Sequence, residues 1–127
     1  MSEEAPTNDK MTSQLISDNE HFKATVSDLF EEDFFQCAIY VAVEIVNKSA
    51  DAEQWFYLED VYIDGEKSQS GSGVPVTVLP EKSAIGVFFI STAKKLEGIE
   101  EIEFVLVCKN NETMEEIFRT SAVSVLA

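Results

Sequence analysis

The clearest strand signal in the sequence is at residues 37–46, which read CAIYVAVEIV. Successive side chains of an extended strand point to opposite sides, so alternate residues share a face. One face of this stretch then carries Cys37, Ile39, Val41, Val43 and Ile45. This period of two predicts a β-strand with a buried face. The turn-forming residues 47–51 (NKSAD) end the strand.

Further strands are predicted on both sides of this segment. Apolar alternation recurs in residues 22–26, 102–108 and 117–126. Residues 84–90 (AIGVFFI) are apolar on both faces, as expected of a strand in the core of a sandwich. Residues 74–79 form a weaker strand, which Pro75 places at a sheet edge. About seven strands and no long helix predict an all-β, antiparallel β-sandwich.

Two local irregularities are predicted around the aromatic segment 55–63 (WFYLEDVYI). The apolar phase slips by one residue between Leu58 and Val61, which indicates a β-bulge near residues 59–60. Asp64-Gly65 follows as a tight-turn signal, because glycine accepts a positive φ. The segment is therefore predicted to be a bent strand that ends in a tight turn.

The composition describes a single domain with an acidic surface. The 127 residues include 24 acidic and 9 basic side chains, for a formal net charge of −15, and 45% of them are hydrophobic. This length suits one domain, and the hydrophobic content excludes a disordered or collagen-like chain. Residues 1–17 are polar and acidic without a sustained period, which predicts a disordered tail. Residues 18–127 are predicted to form the sandwich domain.

The charge balance also excludes several classes of ligand. A strongly acidic surface repels the phosphates of nucleic acids and of anionic lipids, so no direct nucleic-acid binding is expected.

The sequence predicts no membrane-spanning segment. The longest apolar run, residues 84–90, is much shorter than the roughly 20 residues that span a bilayer. The first twenty residues lack the basic start and apolar stretch of an export signal. The expected location is extracellular or at the cell envelope if such a signal was trimmed, and cytoplasmic if Met1 is the native start.

Several motifs resemble those of a known bacterial domain. Residues 46–49 (VNKS) and 61–65 (VYIDG) are similar to its N-x-S … V-x-V-N-G pattern, and residues 76–84 and 96–104 are similar to two of its other segments. The family is an immunoglobulin-like β-sandwich found in lipoproteins and secreted proteins of Gram-positive bacteria, usually of unknown function. The resemblance implies this fold for residues 16–125 and implies no catalytic residues. The chain departs from the family in having aspartate rather than asparagine before Gly65, and in lacking the lipid-bearing cysteine.

Candidate catalytic groups are few. His21 is the single histidine and lies at a polar position of its strand, and a general base needs a nucleophile within hydrogen-bond reach. The sequence contains no Gly-x-Ser-x-Gly elbow and no recognisable Cys/His signature. Cys37 and Cys108 are predicted to be buried free thiols, because their expected offset of about 20 Å exceeds the ~7 Å that a disulfide allows. We therefore predict no enzyme activity and no cofactor.

Acidic residues cluster in four places, at residues 31–33, 59–66, 97–103 and 112–116. Paired carboxylates in such clusters could serve a glycosidase or bind calcium in a sandwich loop. The run at residues 60–66 lacks the alternating acidic pattern and distal glutamate of an EF-hand. The sequence favours solvated turns that add solubility, and no metal-ligating residues are assigned.

The aromatic residues of the segment 55–62 are the best candidates for a partner-binding site. Trp55 and Tyr57 cannot share a side with Phe56, because consecutive strand residues face opposite ways. One set faces the core, and the other can contact a protein, since tryptophan and tyrosine dominate interface hot spots. The alternative is that these side chains simply fill the core and cover an edge. The predicted partner-binding residues are Trp55, Tyr57, Tyr62 and Asp64.

The predicted function is a non-enzymatic binding or interaction module with a protein partner that the sequence does not identify. The domain is expected to be a monomer. The alternative is an acidic protein inhibitor that mimics nucleic acid and blocks a basic groove of a DNA- or RNA-handling enzyme, for which the net charge of −15 is the evidence. An enzyme is the third class, with no triad, metal set or phosphate loop in the sequence to support it.

Overall fold

Two antiparallel sheets pack face to face in the computed structural model, which describes residues 13–32, 38–71, 76–92 and 96–126. Eleven strands run through these residues, in chain order β1 (Gln14–Asp18), β2 (Phe22–Glu32), β3 (Ala38–Asn47), β4 (Gln54–Ile63), β5 (Glu66–Lys67), β6 (Gln69–Gly71), β7 (Val76–Val78), β8 (Ser83–Ser91), β9 (Glu101–Asn110), β10 (Glu116–Arg119) and β11 (Val123–Leu126). A single 3-10 turn, Leu96–Gly98, precedes β9 within the described chain. The predicted all-β sandwich is confirmed, and short strands accompany the long ones.

The strand order is that of an immunoglobulin-like domain. The first sheet runs β1-β2-β3-β8-β6, and the second runs β10-β9-β4-β5, with β11 also paired to β9 and β7 to β4. In an immunoglobulin domain, strands A, B, E and D form one sheet and strands C, F and G form the other. Here β2, β3, β8 and β6 correspond to the first set. Strands β4 and β9, with β10 and β11 as two halves of the last strand, correspond to the second set.

The core lies between the inward faces of the two sheets. On β3 the face chosen from the sequence is fully buried, at Ile39, Val41, Val43 and Ile45; Cys37 lies outside the described residues. The sheets meet through aromatic rings. The ring centroids of Phe22 on β2 and Phe56 on β4 are 5.1 Å apart with planes at 85°, an edge-to-face contact of the kind that stabilises apolar cores.

Both predicted irregularities around β4 are present. The pairing of β4 with β9 shifts register between Glu59 and Tyr62, and Asp60 between them has a φ of 50°. This is the expected β-bulge, with one extra residue on β4. Asp64 and Gly65 have φ values of 50° and 86°. Positive φ at both positions is typical of the type I′ turn that closes a two-residue hairpin, here between β4 and β5.

The folded domain extends beyond the predicted boundary at residue 17. Gln14–Asp18 form β1, which pairs with β2 at the edge of the first sheet. The Gln14 side chain also donates a hydrogen bond of 2.8 Å to the carbonyl oxygen of Ser124, on β11 of the second sheet. The sequence pattern does not reveal this strand, because a register shift between Leu15 and Ser17 breaks its period of two. The remainder of the predicted tail, residues 1–12, lies outside the described residues.

The last predicted strand, residues 117–126, is broken at Thr120. The Thr120 amide donates to the carbonyl oxygen of Leu106 at 3.1 Å, and its Oγ1 accepts from the Leu106 amide at 3.0 Å. Thr120 therefore satisfies both the amide and the carbonyl group of Leu106. The last strand can break after Arg119 without leaving these two groups unpaired. The side chain of Thr120 is buried at the break between β10 and β11.

Asn47 closes the end of β3 from inside the protein. Its amide nitrogen donates to the carbonyl oxygens of Ala52 at 2.8 Å and Val78 at 3.0 Å, and its Oδ1 accepts from the Ser49 amide at 2.8 Å. The side chain is fully buried, so these bonds offset its desolvation. The turn predicted from residues 47–51 is thus fixed by its first side chain.

Among the described residues, no helix is long and apolar enough to cross a membrane.

Candidate partner-binding surface

The predicted aromatic residues lie on the outer face of the second sheet. Phe56 points into the core, so Trp55 and Tyr57 on either side of it point outward, where they are half-buried. The extra residue at Asp60 restores the alternation, and Tyr62 also lies on the outer face. These three side chains therefore do not point into the core, and their role in partner binding stays a prediction.

Trp55, Tyr57 and Lys109 form one cluster, called here the aromatic–lysine cluster. The two ring centroids are 5.1 Å apart with planes tilted by 38°. The Lys109 Nζ atom, on the neighbouring strand β9, lies 5.9 Å from the Trp55 ring centroid and 5.5 Å from that of Tyr57. An ammonium group within about 6 Å of an aromatic face is attracted by the ring quadrupole. The three side chains are thus held together on two hydrogen-bonded strands.

A charged group borders this cluster. Arg119 on β10 pairs with Glu59 at 2.5 Å and with Glu116 at 3.1 Å. The hydrogen bond from Arg119 holds the pKa of Glu59 below its ordinary value, and the bonds to Glu59 and Glu116 raise the pKa of the arginine. Val107, which pairs with both Tyr57 and Arg119, is fully buried although it lies on the outer face. The cluster and the ion pairs therefore form one continuous strip of side chains, and this strip covers Val107.

One polar atom of the cluster has no partner. The indole Nε1 of Trp55 is buried and makes no hydrogen bond within the part of the chain that the structure describes. A buried donor without an acceptor costs about 1–3 kcal/mol. The cluster consequently carries an unused hydrogen-bond donor next to a lysine.

Asp64 has a structural role at the other end of β4. Its Oδ1 accepts hydrogen bonds of 2.9 Å from the amides of both Glu100 and Glu101, and its own amide donates to the Glu101 carbonyl oxygen at 3.0 Å. These bonds tie the β4–β5 hairpin to the start of β9. In the structure, the Asp64 side chain accepts from the amides of two residues that lie more than 30 positions away in sequence. Its expected role in partner binding stays a prediction.

The two remaining candidate catalytic groups in the described chain, His21 and Cys108, pack against other side chains of the domain. The His21 ring lies 6.1 Å from the Phe118 ring, centroid to centroid, and its Nε2 is 3.8 Å from a Glu20 carboxylate oxygen. Cys108 is a buried free thiol, as predicted, and burial raises its pKa to about 12. A thiol of this kind is inert at neutral pH, because the thiolate is the reactive form. In the described ranges, no group of three His, Cys, Asp or Glu side chains is arranged to hold a metal ion.

Comparison with known proteins finds no family model and no curated protein that match the chain. The crystal structure of the yeast GGA1 GAE domain–P21 shares 9% identity, with a TM-score of 0.47 over 91% of this chain and 100% of that one. The crystal structure of a FixG-related protein from Vibrio parahaemolyticus also shares 9% identity, with a TM-score of 0.43 over 85% of this chain and 97% of that one. Similarities of this size identify neither a family nor a partner. The resemblance to lipoprotein domains of Gram-positive bacteria stays a prediction.

Proposed function

We propose that this chain is a non-enzymatic interaction module that binds a protein partner through the aromatic–lysine cluster. The observation that carries this proposal is the half-buried, outward-facing pair Trp55 and Tyr57, held beside Lys109 on adjacent strands. Rigid aromatic side chains contribute most to binding when little conformational entropy is lost on contact. The cluster is ordered by strand pairing and ring contacts before any partner arrives.

The chemistry of the cluster indicates what the partner presents. The ammonium group of Lys109 lies beside the two rings and favours an acceptor, above all a negative one. A backbone carbonyl or a carboxylate beside an apolar side chain would contact both the ammonium group and the rings. The Nε1 atom of Trp55 is buried beneath this surface and takes no part in the contact.

A site-specific photocrosslinking experiment identifies the partner. The crosslinking residue replaces Thr77, which is exposed and pairs with Trp55 across the strands. In a control chain it replaces Glu97, which is exposed in the 3-10 turn before the other end of β9. We expect a crosslinked protein that is specific to position 77 when the chain is expressed in its native cells. The same products from both positions would contradict a site at the cluster.

Purified partner then tests the individual side chains. Trp55→Ala and Tyr57→Ala should each raise Kd at least about tenfold, as expected for hot-spot residues. Leu15→Ala is the matched control, because Leu15 is an exposed apolar residue on the other sheet. Melting temperatures and near-ultraviolet circular dichroism of all variants check that the fold is retained. Unchanged affinity in folded Trp55→Ala and Tyr57→Ala would disprove the site.

The net charge of −15 supports a second candidate, an acidic inhibitor that mimics nucleic acid. Binding to a basic groove should weaken steeply as salt rises, because exposed charges are screened beyond about 8–10 Å near physiological ionic strength. The same crosslinked partner distinguishes the two candidates. A partner that handles DNA or RNA, with strongly salt-dependent affinity and no response to Trp55→Ala, favours the inhibitor.

A further inference from the structure

The outer face of the first sheet is apolar over three neighbouring strands. Four large side chains there are well exposed, namely Phe30 at 40%, Val46 at 37%, Ile85 at 65% and Val87 at 42%. Strand register aligns them in rows across β2, β3 and β8, of which one row is Phe30, Tyr40 and Phe89. Residues 84–90 are apolar on both faces, as expected of a strand in the sandwich core, but the outer face is exposed at Ile85 and Val87. Contiguous exposed apolar patches mark interaction sites.

Ala42 lies at the centre of this face and is covered by its neighbours. Ala42 is only 7% exposed although its side chain is on the outer side. Its neighbours across the strands are Asp28 and Val87, and its neighbours along β3 are Tyr40 and Glu44. The Phe30 and Tyr40 rings beside it stack at 5.1 Å with planes only 6° apart. The centre of the face is therefore closed, and the exposed apolar side chains around it are the contact surface.

The dimensions of the face suit a helix. Three strands spaced about 4.8 Å apart give a width of roughly 10 Å, which is close to the diameter of an α-helix. Ile85 and Phe89 are four residues apart on β8, a distance of about 13 Å at the rise of an antiparallel strand. That length corresponds to between two and three helical turns. A short amphipathic helix would therefore cover the exposed rows.

Charge indicates the kind of helix. Glu44 is exposed within the apolar rows, between Thr25 on β2 and Ile85 on β8, and it has no hydrogen-bond or ion-pair partner among the described residues. Asp28 adds a second carboxylate, and Lys23 lies at the far end opposite Val46. Lys48 is already paired with Asp18, so it does not neutralise Glu44.

The net charge also argues against a second copy of this chain on this face. Each copy carries a net charge of −15, so two copies would place like charges together.

We propose that the outer face of the first sheet binds a cationic amphipathic helix of a partner protein. The apolar side of the helix packs on Val46, Ile85 and Val87, and a lysine or arginine pairs with Glu44. This site lies on the opposite side of the sandwich from the aromatic–lysine cluster. The two proposals therefore rest on different residues and can fail separately.

The test uses the whole chain and a defined peptide. An 18-residue fluorescent peptide with leucine on one helical face and lysine on the other is titrated with the protein, and anisotropy reports binding. We expect saturable one-to-one binding to the native chain. The double variant Ile85→Ser/Val87→Thr should weaken it at least about tenfold, because burial of two branched side chains is lost. Glu44→Gln should weaken it by a smaller factor that shrinks further as salt rises.

Matched controls separate this site from general attraction between opposite charges. Ile85→Ser/Val87→Thr leaves the net charge unchanged, so a purely electrostatic complex would bind it as well as the native chain. Val105→Thr, on the outer face of the second sheet, should leave affinity unchanged. Ile85→Thr, a single change at the most exposed position, serves if the double variant folds poorly.

Three results would overturn the proposal. The first is equal affinity for native chain and folded Ile85→Ser/Val87→Thr or Ile85→Thr. The second is a dimer of the native chain in sedimentation that Ile85→Ser/Val87→Thr abolishes, which would assign the face to a second copy. The third is no binding of the leucine–lysine peptide, or equal binding of a leucine–glutamate peptide with the same pattern.

Discussion

Gly86 on β8 and Val76 on β7 are in closer contact than two residues with side chains could be. A Cβ atom at Gly86 would lie 2.7 Å from both methyl carbons of Val76. The valine is buried and its branched side chain has few rotamers. Because β7 pairs with the second sheet and β8 belongs to the first, this glycine sets how closely the two sheets approach at one end of the core.

Gly86→Ala should therefore destabilise the domain by about 1–3 kcal/mol, the usual cost of overpacking a core. Urea unfolding followed by Trp55 fluorescence measures the free energy of unfolding. Gly98→Ala is the matched control, because a Cβ there meets nothing within 4 Å. Combining Gly86→Ala with Val76→Ala should recover part of the loss; strictly additive losses would show that the two residues do not interact.

Asp64→Ala should destabilise the domain by about 1–2 kcal/mol, because the amides of Glu100 and Glu101 lose their common acceptor. Alanine also tolerates the φ of 50° poorly. Asp64→Asn keeps an acceptor and accepts a positive φ, so it should lose less than half as much in the same urea experiment. Equal losses in the two variants would argue against the hydrogen bonds as the cause.

Cys108 should make the domain less stable in alkali. Its pKa rises from an ordinary value of 9.0 to about 12 in the folded state, so its contribution is complete below pH 9 and is lost as pH rises toward 12, where the unfolded thiol has already ionised. From pH 8.5 to 10, the native chain should lose about 1 kcal/mol more than Cys108→Ala. Parallel loss in both chains would contradict this. Cys37 is present in both, so its titration cancels.

Glu59 should contribute to acid sensitivity. Arg119 lowers the pKa of this carboxyl from an ordinary value of 4.5, so its stabilisation is present above that value and is lost as pH falls through the lower folded pKa. Glu59→Gln should be less stable than the native chain at pH 7, and the difference should disappear in strong acid. Glu112→Gln, in an exposed turn, is the control for loss of one negative charge. A pH-independent difference for Glu59→Gln would contradict the ion pair.

Features set by neighbouring residues were predictable from the sequence. The buried face of β3 follows from side-chain alternation alone, and the bulge at Asp60 follows from a one-residue slip in the same pattern. The turn at Asp64 and Gly65 follows from the φ values that these residues tolerate. In each case the energetic preference lies within a few residues of chain.

Features set by distant residues were not predictable. Nothing near Asp64 indicates that the amides of residues 100 and 101 donate to its side chain, and nothing near Thr120 indicates that it pairs with Leu106. The exposure of Ile85 and Val87 is also a long-range property, because it depends on what packs over β8 rather than on β8 itself. For Trp55 and Tyr57, alternation predicted a shared face, but only the sheet order showed that this face points outward.

The hydrogen bond from the Gln14 side chain to the Ser124 carbonyl brings the first and last described strands together across the two sheets. A short linker could therefore join residues near these positions without distorting either sheet. New ends could be opened in the exposed turn at residues 111–113, between β9 and β10. Such a circular permutant would keep every strand pairing, and it would let the domain be inserted into a loop of another protein with both connections at a single point.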